Sequence, residues 1–135
     1  MAIVGFTFTK ILAERKETAN EKISINNNVS VLNVEESKLP VGSQTQDALK
    51  ISFMFTTQYD PGLGSIELHG NLISLGDAKE LKEVLSDWNK NKKLSADMMK
   101  TVLTTVLSKC NIQALIMSRD VQLPPPVPLP RVNVR

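Results

Sequence analysis

Histidine, cysteine, tryptophan and tyrosine each occur once in this chain, which leaves little material for chemistry. A metal centre of the usual kind gathers several His and Cys ligands, and His69 and Cys110 have no others to join them, so no metal and no cofactor is expected. Serines and threonines are plentiful, yet one histidine and one cysteine supply no nucleophile–base set, so the chain is not expected to be an enzyme. A lone cysteine also excludes an internal disulfide. Cys110 falls on an apolar stripe and is expected to be a small buried hydrophobe in a reducing compartment. Glu35 and Glu36 lie in a polar stretch with no apolar enclosure to drive their pKa values apart, which argues against an acid–base pair. Gly62-Leu63-Gly64 lacks the third glycine or Gly-Lys-Ser of a phosphate loop and reads as a turn.

Charge excludes as much as chemistry does. Sixteen basic residues against fourteen acidic ones leave a formal charge of +2, far from the strongly basic balance of a dedicated nucleic-acid binder. No apolar run approaches the eighteen or more residues needed to span a bilayer, so no membrane insertion is expected. Thr7, Thr9 and Lys10 interrupt the first apolar residues too early for a signal peptide, and a soluble, cytoplasmic protein is expected.

What remains is pattern. With 135 residues the chain has the length of one domain with one core. Val4, Phe6, Phe8 and Leu12 alternate with Thr7 and Thr9, which predicts a half-buried first strand with those four apolar residues on one face. Ile23, Ile25, Val29 and Val31 predict a second strand, with a parity switch at Leu32 and Val34 that a β-bulge or the end of the strand explains. Residues 35–46, with Pro40, Gly42 and many polar side chains, read as a connecting loop. Leu49, Ile51, Phe53, Phe55 and Tyr59 form the cleanest alternation in the chain and predict a central third strand; Asp60-Pro61-Gly62 turns it into a fourth carrying Ile66, Leu68, Gly70 and Leu72. Asp77, three residues before Glu80, has capping-box spacing for a first helix lined by Leu81, Val84, Leu85 and Trp88. Ser95 can cap a second, long helix whose stripe is Met98, Met99, Val102, Leu103, Val106, Leu107 and Cys110. Four strands followed by two helices predict an α+β fold: a four-stranded antiparallel sheet with both helices on one face.

After residue 120 the pattern becomes proline-rich and apolar, with Val121, Leu123, Val127 and Leu129 set among Pro124, Pro125, Pro126, Pro128 and Pro130. The expected organisation is an α+β domain over residues 1–120 and an extended, polyproline-like arm over 121–135. Pro125 and Pro128 have the spacing read by SH3-type grooves, while the valines and leucines suit docking on the chain's own domain or on a neighbouring subunit.

The order of elements resembles the export chaperone SecB and its archaeal SecB-like relatives. The resemblance is carried by Glu67-Leu68-His69-Gly70-Asn71-Leu72-Ile73-Ser74-Leu75-Gly76 at the exit of the fourth strand, by the long helix beginning near Ala96, and by Leu123-Pro124-Pro125-Pro126-Val127 beyond it. Leu94-Ser95-Ala96 stands where the family usually has aromatic and proline residues, and the proline arm is longer here. The resemblance implies a homo-oligomer that binds unfolded polypeptide without ATP, apolar grooves between sheet and helix taking the client's side chains. Residues expected at the polypeptide-binding or oligomer surface are Phe6, Phe8, Trp88, Met98, Met99, Val127 and Leu129. The competing expectation is a ribosome- or RNA-associated module using Lys90, Lys92, Lys93 and Arg131, although no aromatics are interleaved with those charges for base stacking. A structural assembly subunit that docks through its arm is a third.

Overall fold

Strict alternation of apolar and polar residues builds the centre of the sheet, and interruptions of it mark the edges. The computed structural model describes residues 2–16, 22–60 and 62–126. Four strands, β1 (Ala2–Arg15), β2 (Ser24–Val41), β3 (Gln44–Asp60) and β4 (Gly64–Leu75), precede two helices, α1 (Ala78–Asn91) and α2 (Ala96–Asp120). The strands pair antiparallel in the order β1-β4-β3-β2, which makes β3 and β4 central and leaves β1 and β2 at the edges. Leu49, Ile51, Phe53, Phe55 and Tyr59 of β3 and Ile66, Leu68 and Leu72 of β4 are buried on one common face, and Val102, Val106, Cys110, Leu81 and Trp88 of the helices complete that core. Both helices thus lie on one side of the sheet, α1 against β2 and β3, α2 against β4.

Two expectations fail at the edges. The loop expected over residues 35–46 is a hairpin: β2 runs to Val41, turns through Gly42 and Ser43, and returns as β3. Gly42 takes φ 62 at the first of the two loop positions, where a two-residue hairpin loop needs positive φ. Pro40 is tolerated because β2 is an edge strand, whose outward N–H groups have no ladder partner to lose. The polar side chains there pair across the ribbon, Lys38 with Asp47 at 3.3 Å and Lys50 with Glu35 at 3.7 Å. The second failure concerns β1. Register shifts between Ile3 and Gly5 and between Phe8 and Lys10 break its alternation, so Ile3, Phe6, Phe8, Ile11 and Ala13 stand opposite the inward residues of β4, while Leu12 pairs with Glu67 on the outer face. Val4 sits in the first bulge at 50% exposure. Of the two explanations for the parity switch at Leu32, the structure has the bulge, between Val31 and Asn33, and the strand continues past it.

The helix ends follow the sequence. Asp77 accepts a hydrogen bond from the Glu80 backbone N–H at 2.8 Å, and Ser95 accepts one from Met98 at 3.3 Å. Lys92 closes α1 in the left-handed conformation, its N–H donating to the Trp88 carbonyl at 2.8 Å. The core stripe of α2 runs past Cys110 to Ala114 and Met117, whereas Leu107 lies at its exposed margin. The proline-rich arm is described as far as Pro126: Leu123 and Pro126 are buried, Tyr59 donates its hydroxyl to the Pro124 carbonyl at 2.7 Å, and Asn27 donates to the Pro126 carbonyl at 2.8 Å.

Candidate functional site

The inner face of β1 is the part of the sheet that the helices leave half covered. Phe6 and Phe8 project from it toward Phe53 on β3, with ring centroids 5.0 Å apart between Phe6 and Phe8, 5.2 Å between Phe6 and Phe53, and 6.4 Å between Phe8 and Phe53. Phe53 is buried, and Phe6 and Phe8 are half-buried above it. Gly70 makes the cluster possible: a Cβ there would stand 2.8 Å from the Phe53 ring and 2.2 Å from the Thr7 carbonyl oxygen, so any other residue would push β1 or the ring away.

Across from β1 runs a flank of α2. Thr105 and Lys109 line an open depression of about 450 Å³ with Ile3, Val4, Gly5 and Phe6. Ile112 and Ile116 continue the same flank at helical spacing, 60% and 40% exposed. Toward the start of α2 a second depression, of about 280 Å³, shares Ile3 and is lined also by Ser74, Glu83, Val84, Asp97 and Met98. On the strand side the two depressions are lined from Ile3 to Phe6, and the inner face of β1 continues beyond them through Phe8 and Ile11 to Ala13, a strand length of roughly 30 Å in all.

The expected surface residues separate into three groups. Phe6, Phe8 and Met98 line the groove or its aromatic wall, and Met99 is half-buried against the core. Trp88 is an interior residue at 4% exposure; its indole N–H has no partner among the described residues, and the Lys92 ammonium sits 5.8 Å above its ring. Val127, Leu129 and Arg131 lie outside the described residues. Of the lysines, Lys90 occupies the last turn of α1, Lys92 caps it, and Lys93 is exposed beyond it. Sequence patterns missed Ile3, Ser74, Glu83, Asp97, Thr105 and Lys109, which come from four different elements. The signal that was present is the spacing Thr101, Thr105, Lys109, a polar line along an otherwise apolar helix.

Two titratable groups outside the groove, Cys110 and Glu67, serve the fold. Burial pushes the Cys110 thiol up to about 12, so it stays a protonated, unreactive hydrophobe. On the outer face Glu67 accepts from His69 at 3.0 Å and meets Lys10 at 3.3 Å; those two partners, His69 first, hold its carboxyl below the usual range. Among the described residues no cluster of His, Cys, Asp and Glu is arranged to hold a metal ion, and no helix is long and apolar enough to cross a membrane.

A four-stranded antiparallel sheet with a short and a long helix on one face, joined to an edge strand that carries an aromatic wall, is a SecB-like fold. No family model matches the sequence, and no curated protein matches it. Among solved structures, the SecB-like chaperone Rv1957 of Mycobacterium tuberculosis, in complex with a ChAD peptide from the Rv1956 HigA1 antitoxin, superposes with a TM-score of 0.53 over 99% of this chain and 91% of that one. At 10% identity the likeness is one of fold.

Proposed function

We propose that this chain is an ATP-independent, SecB-like holdase of the cytoplasm that binds unfolded polypeptide in the groove between β1 and α2. The observation that carries the reading is the aromatic wall: Phe6 and Phe8 rest on Phe53 yet are only partly buried, and Phe6 lines an open depression that a closed core would have filled. Client side chains enter between that wall and the α2 flank of Thr105, Lys109, Ile112 and Ile116. Apolar burial supplies the affinity, at about 25 cal/mol per Å² removed from water. The SecB-like neighbour solved with a peptide supports a peptide-binding role for this architecture. The open edge of β1, which carries no proline and only Lys10 as a charge in its middle, supports pairing with a second copy and hence a homo-oligomer. The start of the arm, residues 121–126, packs on the domain itself, and the Tyr59 and Asn27 bonds to Pro124 and Pro126 support docking over recruitment of a partner.

The test places two ligands side by side over a salt series. A chemically unfolded protein should bind tightly with little salt dependence and have its aggregation suppressed without nucleotide, because apolar burial dominates. RNA binding, if it occurs, should weaken steeply as counterion release is suppressed. A protein that leaves client aggregation untouched but carries nucleic acid that high salt removes would be the RNA module instead, acting through Lys90, Lys92 and Lys93.

A further inference from the structure

The groove is not electrically uniform. Its depression at the start of α2 is lined by the carboxylates Glu80, Glu83 and Asp97 and by no lysine or arginine. Glu80 is already engaged, so the unspent charge is that of Glu83 and Asp97, neither of which forms an ion pair among the described residues. Behind them lies a second, independent feature: Ser74 lines the same depression, is fully buried, and its Oγ has no hydrogen-bond partner. A buried hydroxyl left without a partner is costly and marks a place where a hydrogen-bonding group is missing, and a serine oxygen can accept from a donor placed there. Ile3, Val84 and Met98 add apolar wall. Exposed carboxylates, a buried hydroxyl able to accept and an apolar wall match a long side chain that is apolar along its stem and cationic at its tip. The carboxylates do not converge into a cluster that would suit a bare metal ion. At 280 Å³ the space is many times the volume of one water, about 30 Å³, and admits a whole side chain.

The adjoining depression, which shares Ile3, carries the opposite sign. Lys109 lines it beside Phe6 and forms no ion pair among the described residues. Twelve helical positions separate Asp97 from Lys109, about 18 Å along the axis at 1.5 Å per residue, which an extended chain covers in about five residues.

Resting on the polypeptide-binding reading, we propose that the groove is a charge-ordered track: it takes an extended polypeptide with a lysine or arginine side chain in the Glu83/Asp97 depression, apolar side chains over Phe6 and Phe8, and an acidic side chain against Lys109. The preferred client segment is therefore dipolar, its two charges about five residues apart.

Fluorescent peptides with one apolar core test this by anisotropy at low and at moderate ionic strength. One carries Lys and Glu five residues apart, one the same pair two residues apart, and one norleucine and glutamine in their place. The five-residue dipolar peptide should bind about three- to tenfold more tightly than the uncharged one, the scale that two partly exposed ion pairs supply, and the gain should shrink with salt. The double variant Glu83→Gln/Asp97→Asn should lose the lysine-dependent part and Lys109→Gln the glutamate-dependent part, each read as the ratio of charged to uncharged peptide affinity on the same variant, with the wild-type melting temperature kept. Equal binding of all three peptides, or a preference that survives in both variants, overturns the charge-ordered track and leaves the holdase reading standing. Failure of every peptide, the uncharged one included, together with no effect on client aggregation, overturns the holdase reading as well.

Discussion

At the Tyr59 end of the inner sheet face the polar groups are spoken for, and at the Ile3 end they are not. Near the exit of α2, Tyr59 donates to Pro124, Asn27 donates to Pro126, and Thr57 donates to Asn27 at 2.7 Å, with Leu123 buried alongside. At the opposite end Ser74 Oγ is orphaned and two depressions lie open beside β1. The same sheet and the same helix serve both ends. The difference arises from where the helices rest: α1 packs on β2 and β3 and α2 on β4, which leaves no described element to close over β1. Helix α1 covers β2 and β3 at one end, the arm covers the sheet at the other, and the inner face of β1 is what remains. A groove here is thus a region from which a covering layer has been withheld.

Stability measurements on substituted chains can break that comparison. The largest effect is expected at the base of the aromatic wall, where Phe53→Ala should cost about 3–5 kcal/mol in urea denaturation because the ring is fully buried. Phe8→Ala should cost only about 1–2 kcal/mol, since part of its ring is already wet, while weakening client binding more than stability. Equal costs for the two would mean that the groove is closed. Next comes removal of residues 121–135, which strips Leu123 from its site and leaves the Tyr59 hydroxyl buried without an acceptor. A loss of about 3 kcal/mol is expected from burial and hydrogen bonding together, seen as a lower melting temperature. Light scattering on the same sample shows whether the oligomer also depends on the arm, and an unchanged melting temperature would show that the covered end gains nothing from its cover. The smallest effect is that of Tyr59→Phe, about 1 kcal/mol for one neutral hydrogen bond. Burial pushes the Tyr59 phenol up to about 12, from an ordinary value near 10. Its folded form therefore holds the proton more tightly than its unfolded form, so this contribution is complete below pH 10 and is lost as pH rises toward 12. The Phe variant should lack that alkaline component; an identical alkaline profile in both proteins would remove Tyr59 from the latch.

Where side chains alternate without interruption, sequence alone sufficed: β3 and β4, with their inward Phe53, Phe55, Leu68 and Leu72, were legible residue by residue, and so were the caps at Asp77 and Ser95. Edges were harder for a physical reason. Two bulges in β1 move Leu12 to the outer face and put Ile11, still exposed, at an inner-face position opposite Leu68, and a bulge leaves no mark in composition. Residues 35–46 look like a loop because that ribbon has polar residues on both faces, held by ion pairs that only the register reveals. Of the candidate site, the phenylalanines and Met98 could be read from apolar spacing. Trp88 could not, because an aromatic residue on a helix stripe looks the same whether it ends at a surface or, as here, in the core. Glu83 and Asp97 were invisible because they come to one depression only when α1 and α2 pack beside β1, and Lys109 showed only as the end of the polar line Thr101, Thr105, Lys109.

The pairing of β1 has a consequence for the order in which the molecule assembles. β2, β3 and β4 are joined by two tight hairpins, so each finds its neighbour locally, whereas β1 must find β4 across the whole intervening sequence. Closing that long loop costs entropy that the hairpins do not incur, which makes β1 the natural late arrival in folding. Until it docks, the edge of β4 stands open and accepts an equivalent strand from any chain, including a neighbour's β1. The strand that lines the groove is thereby also the element most readily exchanged between copies, and newly made chains at high local concentration have a route to a strand-swapped dimer.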